Sequence, residues 1–371
     1  MGNNETWQKN ASRTSNIINR TSKILLIYSF YLTKPHHSFR MKYPLLLKIT
    51  ASVVILSCCS WGFLAHKTIH QLAIYSLPKK LQTFFFKNVD YLVYNSVRPD
   101  VRRKDDPSEA TKHFIDIDAP IFGKNPLDSM PKTWNEAVKK YSIDTLRKYG
   151  TVSWEIMKLH EKLTNSFRNK LKDSILYYAA DLGHYIADAH VPLHTTINYD
   201  GQMSNQRGLH SLWESTVPEI NIETYNLYQN HKATYLKNPL EVIWVKIRES
   251  NMMLEKVLSD EILASEGFTD EKKFKRSERF GQMRKNYTGD FAKAYALKLG
   301  STVNERMLDA TRTVADFWFT AWVDAGCPDL SDLQAISDED KAKLKSEKKI
   351  WKNNELIKNG LLQARKGKSE E

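Results

Sequence analysis

Histidine and carboxylate side chains recur at helical spacing in the stretch DLGHYIADAHVPLH, residues 181–194. His184 and Asp188 are four residues apart, so on a helix both project from one face, about one turn from each other. Pro192 predicts the end of that helix, and His194 follows on the turn. Imidazole nitrogens and carboxylate oxygens are ligands that zinc accepts. The stretch therefore supplies three candidate metal ligands.

A second stretch, GLHSLWES, repeats the pattern, because His210 and Glu214 are also four residues apart. One histidine–carboxylate pair is common on a solvated helix face and is weak evidence for a metal. Two such pairs with a further histidine between them, all within 31 residues, are much harder to explain as chance. The spacing predicts a metal site built from both stretches.

Further candidate ligands lie upstream. The stretch RPDVRRKDDPSEATKHFIDID contains Asp100 and His113, with Arg103 nearby, and taken alone it indicates only a polar loop. The stretch WGFLAH places His66 five residues after Trp61.

In chain order these stretches read Trp-Gly-x-x-x-His, Asp…His-Phe-x-Asp, His-x3-Asp-x5-His and His-x3-Glu. Together they resemble the superfamily that contains bacterial zinc-dependent phospholipase C and the single-strand-specific zinc nucleases of fungi and plants. The motifs span residues 61–214, and they are specific as a set although each alone is not. The resemblance implies an all-α fold and zinc-dependent hydrolysis of phosphoester bonds.

The resemblance also implies three zinc ions, whose ligands are carried over position by position. The first zinc would be held by Asp100, His113, His184 and Asp188. The second would be held by His194, His210 and Glu214. The third would take the α-amino nitrogen and carbonyl oxygen of Trp61, with His66 and Asp188, whose carboxylate would bridge two metals. This last site needs a free amino group at Trp61.

Zinc lowers the pKa of a bound water from about 15.7 to about 7, which generates hydroxide for attack on phosphorus. We expect Asp100, Arg103 and Asp188 to be catalytic, the aspartates as metal ligands and the arginine as a phosphate contact. The nucleases also hold a nucleobase with residues at the positions of Phe114 and Asp116. A surface arginine and a helix-packing aromatic are the plain alternatives for Arg103 and Phe114.

The chain departs from both branches of the superfamily. Glu214 in place of aspartate and the short gap between His194 and His210 favour the phospholipases, whereas WGFLAH, Asp-x2-Arg and His-Phe-x-Asp favour the nucleases. Ala187 stands where the nucleases have glycine. After residue 60 Cys327 is the only cysteine, so the nucleases' disulfides cannot form.

We therefore predict a secreted or periplasmic zinc-dependent phosphodiesterase, of nuclease type and acting on single-stranded nucleic acid. The first alternative is a phospholipase C that acts on phospholipid headgroups. The second is a non-catalytic zinc-binding envelope protein, which the filled ligand positions speak against.

The stretch MKYPLLLKITASVVILSCCSW has the form of a secretory signal, residues 41–60, with lysines before an apolar core and small residues before a cut. Residues 1–40 precede it and are interpreted as a non-structural extension, with Met41 the true start. Cutting after Ser60 would free the amino group of Trp61. The alternative is lipidation at the end of VILSC, at Cys58, which would anchor the chain and leave Trp61 inside a peptide bond.

Helical periodicity dominates the chain after residue 60. Apolar residues recur at i, i+3, i+4 and i+7 in seven segments, at 67–77, 133–150, 152–170, 171–190, 238–265, 276–300 and 302–326. Glycine (14) and proline (12) are scarce, which disfavours the many turns of a strand-rich fold. We predict one all-α domain over 61–328, followed by a charged tail, 329–371, with a solvent-exposed helix and a frayed end.

Positive charge is unevenly placed. The net charge is +12, and residues 1–60 contribute +7 of it, which leaves +5 over residues 61–371. This excess suits a polyanionic partner without demanding one. Beyond the phosphodiester substrate we expect no stable protein partner, and we expect a monomer.

Other polar residues lie near the ligands without matching a ligand position. His70, Asp181 and His190 could orient ligands or lie on the surface. We expect His160 and His231 to be surface residues.

Overall fold

Helices form most of the part of the chain that the computed structural model describes, residues 62–279 and 282–366. In chain order the helices and strands are α1 (Phe63–Ser76), α2 (Lys79–Lys87), α3 (Val89–Asn95), α4 (Arg98–Arg102), α5 (Pro126–Ser129), α6 (Trp134–Tyr141), α7 (Ile143–Tyr149), α8 (Val152–Arg168), α9 (Lys172–Ala189), α10 (Leu209–Ser211), α11 (Val217–Asn221), α12 (Pro239–Met252), α13 (Leu254–Ser265), α14 (Asp270–Lys273), β1 (Phe274–Arg279), β2 (Gln282–Tyr287), α15 (Gly289–Leu299), α16 (Thr302–Asp324) and α17 (Asp338–Lys352). The predicted all-α class is confirmed. The predicted signal, the upstream extension, Cys58 and Trp61 lie outside the described residues.

Four long helices, α1, α8, α9 and α16, pack against one another in the core. In α1 every residue from Leu64 to Ser76 except Lys67 is buried, and α16 contributes the buried Phe317 and Trp318. The indole of Trp318 donates to the carbonyl oxygen of Ala179 in α9 at 3.0 Å, so these helices are joined by a polar contact as well as by apolar burial. None of the described helices is both long and apolar enough to cross a membrane.

Two of the predicted helices are each divided in two. The segment 133–150 contains α6 and α7, separated at Ser142, whose φ of 68° lies in the left-handed region. The Ser142 side chain accepts a hydrogen bond from the backbone of Thr145 and so caps α7. The segment 238–265 contains α12 and α13, which separate at Met253. In both cases the apolar period continues across the break, which is why the pattern predicted one helix.

The prediction of a helix over 276–300 is wrong in its first half, which forms an antiparallel hairpin of β1 and β2. Phe274 and Tyr287 pair across the strands with ring centroids 4.8 Å apart, and Tyr287 stacks on Phe291 of α15 at 5.0 Å. These aromatic contacts at the root of the hairpin override the local helical pattern, which is mostly polar and therefore a weak signal.

The charged C-terminal segment packs on the domain, contrary to the expected solvent-exposed helix. Helix α17 buries Trp351, whose indole donates to the carbonyl oxygen of Leu227 at 2.7 Å. It also buries Glu347, which accepts a hydrogen bond from the hydroxyl of Tyr75 in α1 at 2.5 Å. A few apolar and polar anchors are enough to dock a helix whose other faces are charged, and overall composition does not reveal them.

Candidate metal centre

The C-terminal half of α9 forms one side of the candidate metal centre. Residues 179–189 are all buried, so His184 and Asp188 project into the interior and not toward solvent. The predicted spacing is confirmed, since both residues lie on this helix and His184 Nε2 is 3.3 Å from Asp188 Oδ2. A 3₁₀ turn at Pro192–Thr195 follows the helix, as the proline predicts, and contains His194.

Six further predicted ligands come from six other places in the chain. They are His66 in α1, Asp100 in α4, His113 after a 3₁₀ turn at Ala110–Lys112, His194 in the turn after α9, His210 in α10, and Glu214 in a π-helical turn at Leu212–Thr216. Together with His184 and Asp188 these eight side chains meet in one place, and all are buried except the half-buried His210. π-helical turns are rare in proteins, and those that occur are often found at functional sites.

Gly183 permits the close approach of α1 and α9. A Cβ at this position would lie 2.4 Å from the Nε2 atom of His70, closer than any real contact allows. The approach brings the ring of His66 parallel to that of His184, with centroids 4.1 Å apart. A residue without a side chain is therefore required for α1 to contribute a ligand here.

The first group of donor atoms combines two imidazoles and two carboxylates. His113 Nδ1 lies 3.1 Å from His184 Nε2, 3.7 Å from Asp100 Oδ1 and 2.9 Å from Asp188 Oδ2. Both carboxylate oxygens of Asp100 are buried, and neither makes a hydrogen bond within the described part of the chain. A buried carboxylate without hydrogen bonds is costly unless it is neutralised or bound to a cation, so this group fits a metal ion.

The second group is formed by His194, His210 and Glu214. The two Nε2 atoms are 2.9 Å apart, and Glu214 Oε2 lies 2.9 Å from that of His210 and 3.4 Å from that of His194. Ligands at about 2.1 Å from a tetrahedral zinc are separated by about 3.4 Å, so these three donors have nearly the required spacing.

Asp188 connects the groups. Its Oδ2 faces His113 and His184, whereas its Oδ1 is 3.4 Å from His66 Nε2. His66, His184 and Asp188 thus form a third group that could hold a metal ion, as the first two could. The two oxygens of one carboxylate face different groups, which is the arrangement expected of a bridging ligand.

The residue that follows Trp61 also lies at the centre. The Gly62 backbone donates to the carbonyl oxygen of Glu214 at 3.0 Å, and a Cβ at Gly62 would lie 2.8 Å from Ser215 Oγ. Gly62, the first described residue, therefore packs against the turn that contains Glu214.

Backbone carbonyl oxygens orient two of the imidazoles. His184 Nδ1 donates to the carbonyl oxygen of Ser96 at 2.7 Å, and His194 Nδ1 donates to that of His113 at 2.7 Å. Because a carbonyl oxygen only accepts, each ring has a proton on Nδ1 and directs its Nε2 atom at the cluster. Such contacts fix the tautomer of metal-binding histidines.

The electrostatics of the cluster favour a cation. Burial lowers the pKa of His66 to about 3 and that of His113 to about 4, so both rings are neutral near pH 7. Burial raises the pKa of Asp100 to about 8 and that of Glu214 to about 7. Burial also opposes the charged form of His184, but nearby carboxylates outweigh it and raise its pKa to about 9. Without a metal Asp100 and Glu214 therefore take up protons near pH 7, and the charge of a bound metal ion would replace those protons.

A cavity of about 220 Å³ opens beside the cluster. It is lined by the ligands His113, His194 and His210, by the predicted Arg103, Phe114 and Asp116, and by Leu193 and Tyr199, which sequence reasoning missed. Tyr199 is 47% exposed, and its ring centroid is 6.1 Å from that of His210. The only available signal for Tyr199 was an aromatic residue in the loop between two ligands.

The predicted substrate residues face this cavity. Arg103 lies with its Nη1 3.7 Å from Asp100 Oδ1 and is therefore beside the first group. Phe114 lines the cavity, and burial together with the neighbouring Asp118 raises the pKa of Asp116 to about 7. Below that pH Asp116 is a neutral carboxylic acid, which can donate a hydrogen bond as well as accept one.

A salt-bridge network lies behind His113, and it too was missed. Arg102 bonds to Glu109 and to Asp181, at 2.9 and 3.0 Å, and Arg98 bonds to Asp181 at 2.7 Å. The buried Glu109 places its Oε1 3.8 Å from His113 Nε2. Asp181 is therefore buried and paired with arginines, and it supports the wall of the centre without contributing a ligand.

His70 and His190 are buried and do not join the donor groups. His70 Nε2 lies 3.0 Å from the carbonyl oxygen of Ala180, so its ring connects α1 to α9. His190 Nε2 lies 3.4 Å from Asp309 Oδ2 in α16. Both residues act in helix packing.

The expectation that His160 is a surface residue is wrong, because its ring is buried edge-on against Phe317. His160 lies on the face of α8 that packs against α16, where its ring is packed like that of any other aromatic residue. His231 is half-buried and pairs with Asp316 at 2.8 Å.

No protein-family model and no curated protein matches the chain. The site is therefore interpreted from its geometry and from the sequence motifs. Its nitrogen and oxygen donors, buried beside a cavity with an arginine, could bind metal ions next to an anionic substrate.

Proposed function

We propose that the chain is an exported zinc-dependent phosphodiesterase of nuclease type, which hydrolyses single-stranded nucleic acid. One observation carries the proposal. Three groups of buried or half-buried donors lie close together, two of them sharing His184, and the cavity beside them is lined by an arginine, two aromatic residues and a carboxyl group. The proposal includes membership of the phospholipase C and zinc nuclease superfamily, which rests on the motif resemblance.

The eight donor side chains would hold three zinc ions, the third with the main chain of Trp61. When bound, zinc supplies an activated water for attack on phosphorus and neutralises charge on the phosphoryl oxygens. Leader removal fits this assignment, because Gly62 lies against Glu214 and the amino group of Trp61 would be freed one residue away.

Arg103 would bind the phosphodiester. Its planar guanidinium matches two oxygens of a phosphate, and its place on the cavity wall beside Asp100 puts those donors next to the first group. Charge on the phosphoryl oxygens increases during attack, so the contact would strengthen in the transition state.

The cavity wall favours a nucleobase over a lipid headgroup. Phe114 and Tyr199 offer aromatic faces, and stacking of a base on such a face is worth about 1–3 kcal/mol. Asp116, neutral below about pH 7, can form a hydrogen bond with the base edge. A neutral carboxylic acid does not attract the positive charge of a choline headgroup. It can form hydrogen bonds with the amide groups on the edge of a base.

The deciding experiment compares substrates on zinc-loaded protein whose amino terminus has been verified by mass spectrometry. We expect release of nucleotides from single-stranded DNA or RNA, loss of that activity in a chelator, and recovery when zinc is returned. Metal content is measured in parallel by plasma mass spectrometry.

Two histidine variants supply the control. His184→Ala removes a ligand shared by two groups and should abolish hydrolysis, whereas His231→Ala removes a half-buried histidine paired with Asp316 and should preserve it. Release of diacylglycerol from phosphatidylcholine vesicles, without nucleotide release, would identify a phospholipase C. A zinc content near zero would overturn the metal assignment.

A further inference from the structure

The hairpin of β1 and β2, with the preceding helix α14, is strongly basic. This segment, residues 270–287, is called here the basic hairpin. It has seven Lys or Arg residues and three Asp or Glu residues, a net charge of +4. Residues 61–371 have a net charge of +5, so the other 293 of these residues contribute only +1. The basic hairpin alone therefore has a net charge close to that of residues 61–371 as a whole, and residues 341–368, with a net charge of +8, form a second basic stretch.

Many of these cations are available to a partner. Arg276 and Lys285 share one carboxylate, that of Asp270, at 2.8 and 2.7 Å, which leaves one positive charge in excess. Lys272 and Lys275 are exposed and form no ion pair within the described part of the chain. The strand register places positions 275, 279 and 284 on one face, and the sequence has a basic residue at each.

The root of the basic hairpin is fixed beside the candidate metal centre. The Tyr287 hydroxyl donates to Glu261 at 2.9 Å and lies 3.2 Å from the carbonyl oxygen of Gln206. A Cβ at Gly208, two residues before the ligand His210, would lie 3.4 Å from the Tyr287 ring. The hairpin thus extends from the loop that leads into the second donor group.

Arg207 extends the positive charge toward the centre. It is exposed and lies between Gln206, which contacts the hairpin, and Gly208, which leads to His210. Arg207 thus adds an exposed cation in the segment that joins the root of the basic hairpin to the second donor group.

The chemistry of the hairpin fits a nucleic-acid backbone better than a membrane. Binding in a membrane interface needs a buried apolar face. Of the described side chains in the two strands, Phe274 and Tyr287 pack at the root, and Met283 is the one exposed apolar residue. Proteins that bind single strands without sequence preference use a cationic surface along the backbone, with binding that weakens as salt increases.

We propose that the basic hairpin is a secondary binding surface for the phosphate backbone of single-stranded nucleic acid, outside the cavity. The inference rests on the proposed nuclease function, and it adds a preference for substrates long enough to reach the hairpin. A mononucleotide diester would use the cavity alone.

The test is K275Q/R279Q/R284Q in the full chain, with K343Q/K345Q/K349Q as control. The control removes three exposed lysines from α17 and therefore the same amount of charge. Binding of fluorescein-labelled dT20 is measured by fluorescence anisotropy in EDTA, so that no cleavage occurs, over a range of salt concentrations. Activity of the zinc-loaded proteins is measured on dT20 and on bis(p-nitrophenyl) phosphate.

We expect the hairpin variant to bind dT20 about tenfold more weakly at low salt, with a log–log salt slope shallower by about 2, since each single-strand phosphate contact contributes about 0.7. The kcat/KM for dT20 should fall with it, while that for bis(p-nitrophenyl) phosphate should be unchanged. The α17 variant should match the wild type in all three measurements.

Different results would contradict the hairpin inference and the proposed function. Equal dT20 affinity and salt slope in the wild type and the hairpin variant would overturn the inference. Loss of binding to vesicles of phosphatidylserine and phosphatidylcholine, with dT20 binding intact, would assign the hairpin to membranes and overturn it too. If the wild type hydrolyses neither substrate, the proposed nuclease function fails, and the anisotropy measurement still decides whether the hairpin binds nucleic acid.

Discussion

Asp188 is the residue on which the candidate metal centre depends most. Its carboxylate is fully buried, with one oxygen toward His66 and the other toward His113 and His184. Burial favours its neutral form, but the neighbouring His184 and His194 hold the pKa of Asp188 well below its usual range. It is therefore ionised and able to bind metal on both oxygens, whereas Glu214 serves only one group.

Replacement of Asp188 should consequently affect more than one metal. We expect Asp188→Asn, which keeps the shape and removes the charge, to reduce the zinc content of the dialysed protein by about two ions. Glu214→Gln should reduce it by about one, because its group is separate. Plasma mass spectrometry gives the metal-to-protein ratio, and Asp316→Asn is the control, since Asp316 pairs with His231. Equal losses from Asp188→Asn and Glu214→Gln would contradict the bridging role.

At the scale of single residues, the sequence predicted the ligands that occur in pairs at helical spacing. His184 with Asp188 and His210 with Glu214 are four apart on helices, and helical geometry alone places each pair together. Asp100 and His113 required the family resemblance, because the contacts that bring them to α9 are long-range. Tyr199 could not be predicted, since nothing in the sequence distinguishes a cavity-lining tyrosine from a surface one.

At the scale of elements, the approach of α1 to α9 decides whether His66 reaches the centre. Alanine is favoured over glycine inside a helix by about 1 kcal/mol, so Gly183→Ala would stabilise an isolated α9. In the folded protein the new Cβ would lie 2.4 Å from the His70 ring, which is held between two carbonyl oxygens and cannot move freely.

We therefore expect Gly183→Ala to destabilise the protein by about 1–3 kcal/mol, the usual cost of overpacking. It should also reduce zinc content, because α1 and His66 are displaced. Urea unfolding and metal analysis test both effects. Gly289→Ala is the matched control, since Gly289 is helical and nothing lies within 4 Å of its added Cβ. If both variants are equally stable, α1 and α9 are not in the tight contact described.

Element boundaries show where periodicity stops being informative. The periods of α8, α9 and α16 predicted these helices to within about two residues, because their buried faces are long and regular. The break at Ser142 and the hairpin of β1 and β2 were missed. At Ser142 a side-chain cap determines the backbone conformation, and at the hairpin an aromatic contact with α15 determines it. The spacing of apolar residues contains no information about either contact.

At the scale of the whole molecule, the buried cluster makes stability depend on pH. Asp100, Glu214 and His184 have pKa values raised in the folded, metal-free protein to about 8, 7 and 9. In the unfolded chain such groups titrate near about 3.9, 4.3 and 6.5. The lowered pKa values of His66, His70, His113 and His210 oppose this effect, each by at most about half a proton at or above about pH 6.5. Between about pH 6.5 and 8 the folded state therefore still binds more protons than the unfolded state. Stability then falls as pH rises through this window.

The metal-free and zinc-loaded proteins should consequently respond to pH in opposite directions. On lowering the pH from about 8 to about 6.5, we expect the Tm of the EDTA-treated protein to rise by about 2–4 °C, the shift that about 1 kcal/mol produces in a domain of this size. Over the same change the Tm of the zinc-loaded protein should fall, because protons compete with the metal for its ligands. Scanning calorimetry measures both. Glu214→Gln should flatten the metal-free response, whereas Glu355→Gln, which alters a glutamate outside the cluster, should not. A metal-free Tm that rises with pH across this window would show that the cluster does not hold the protons assigned to it.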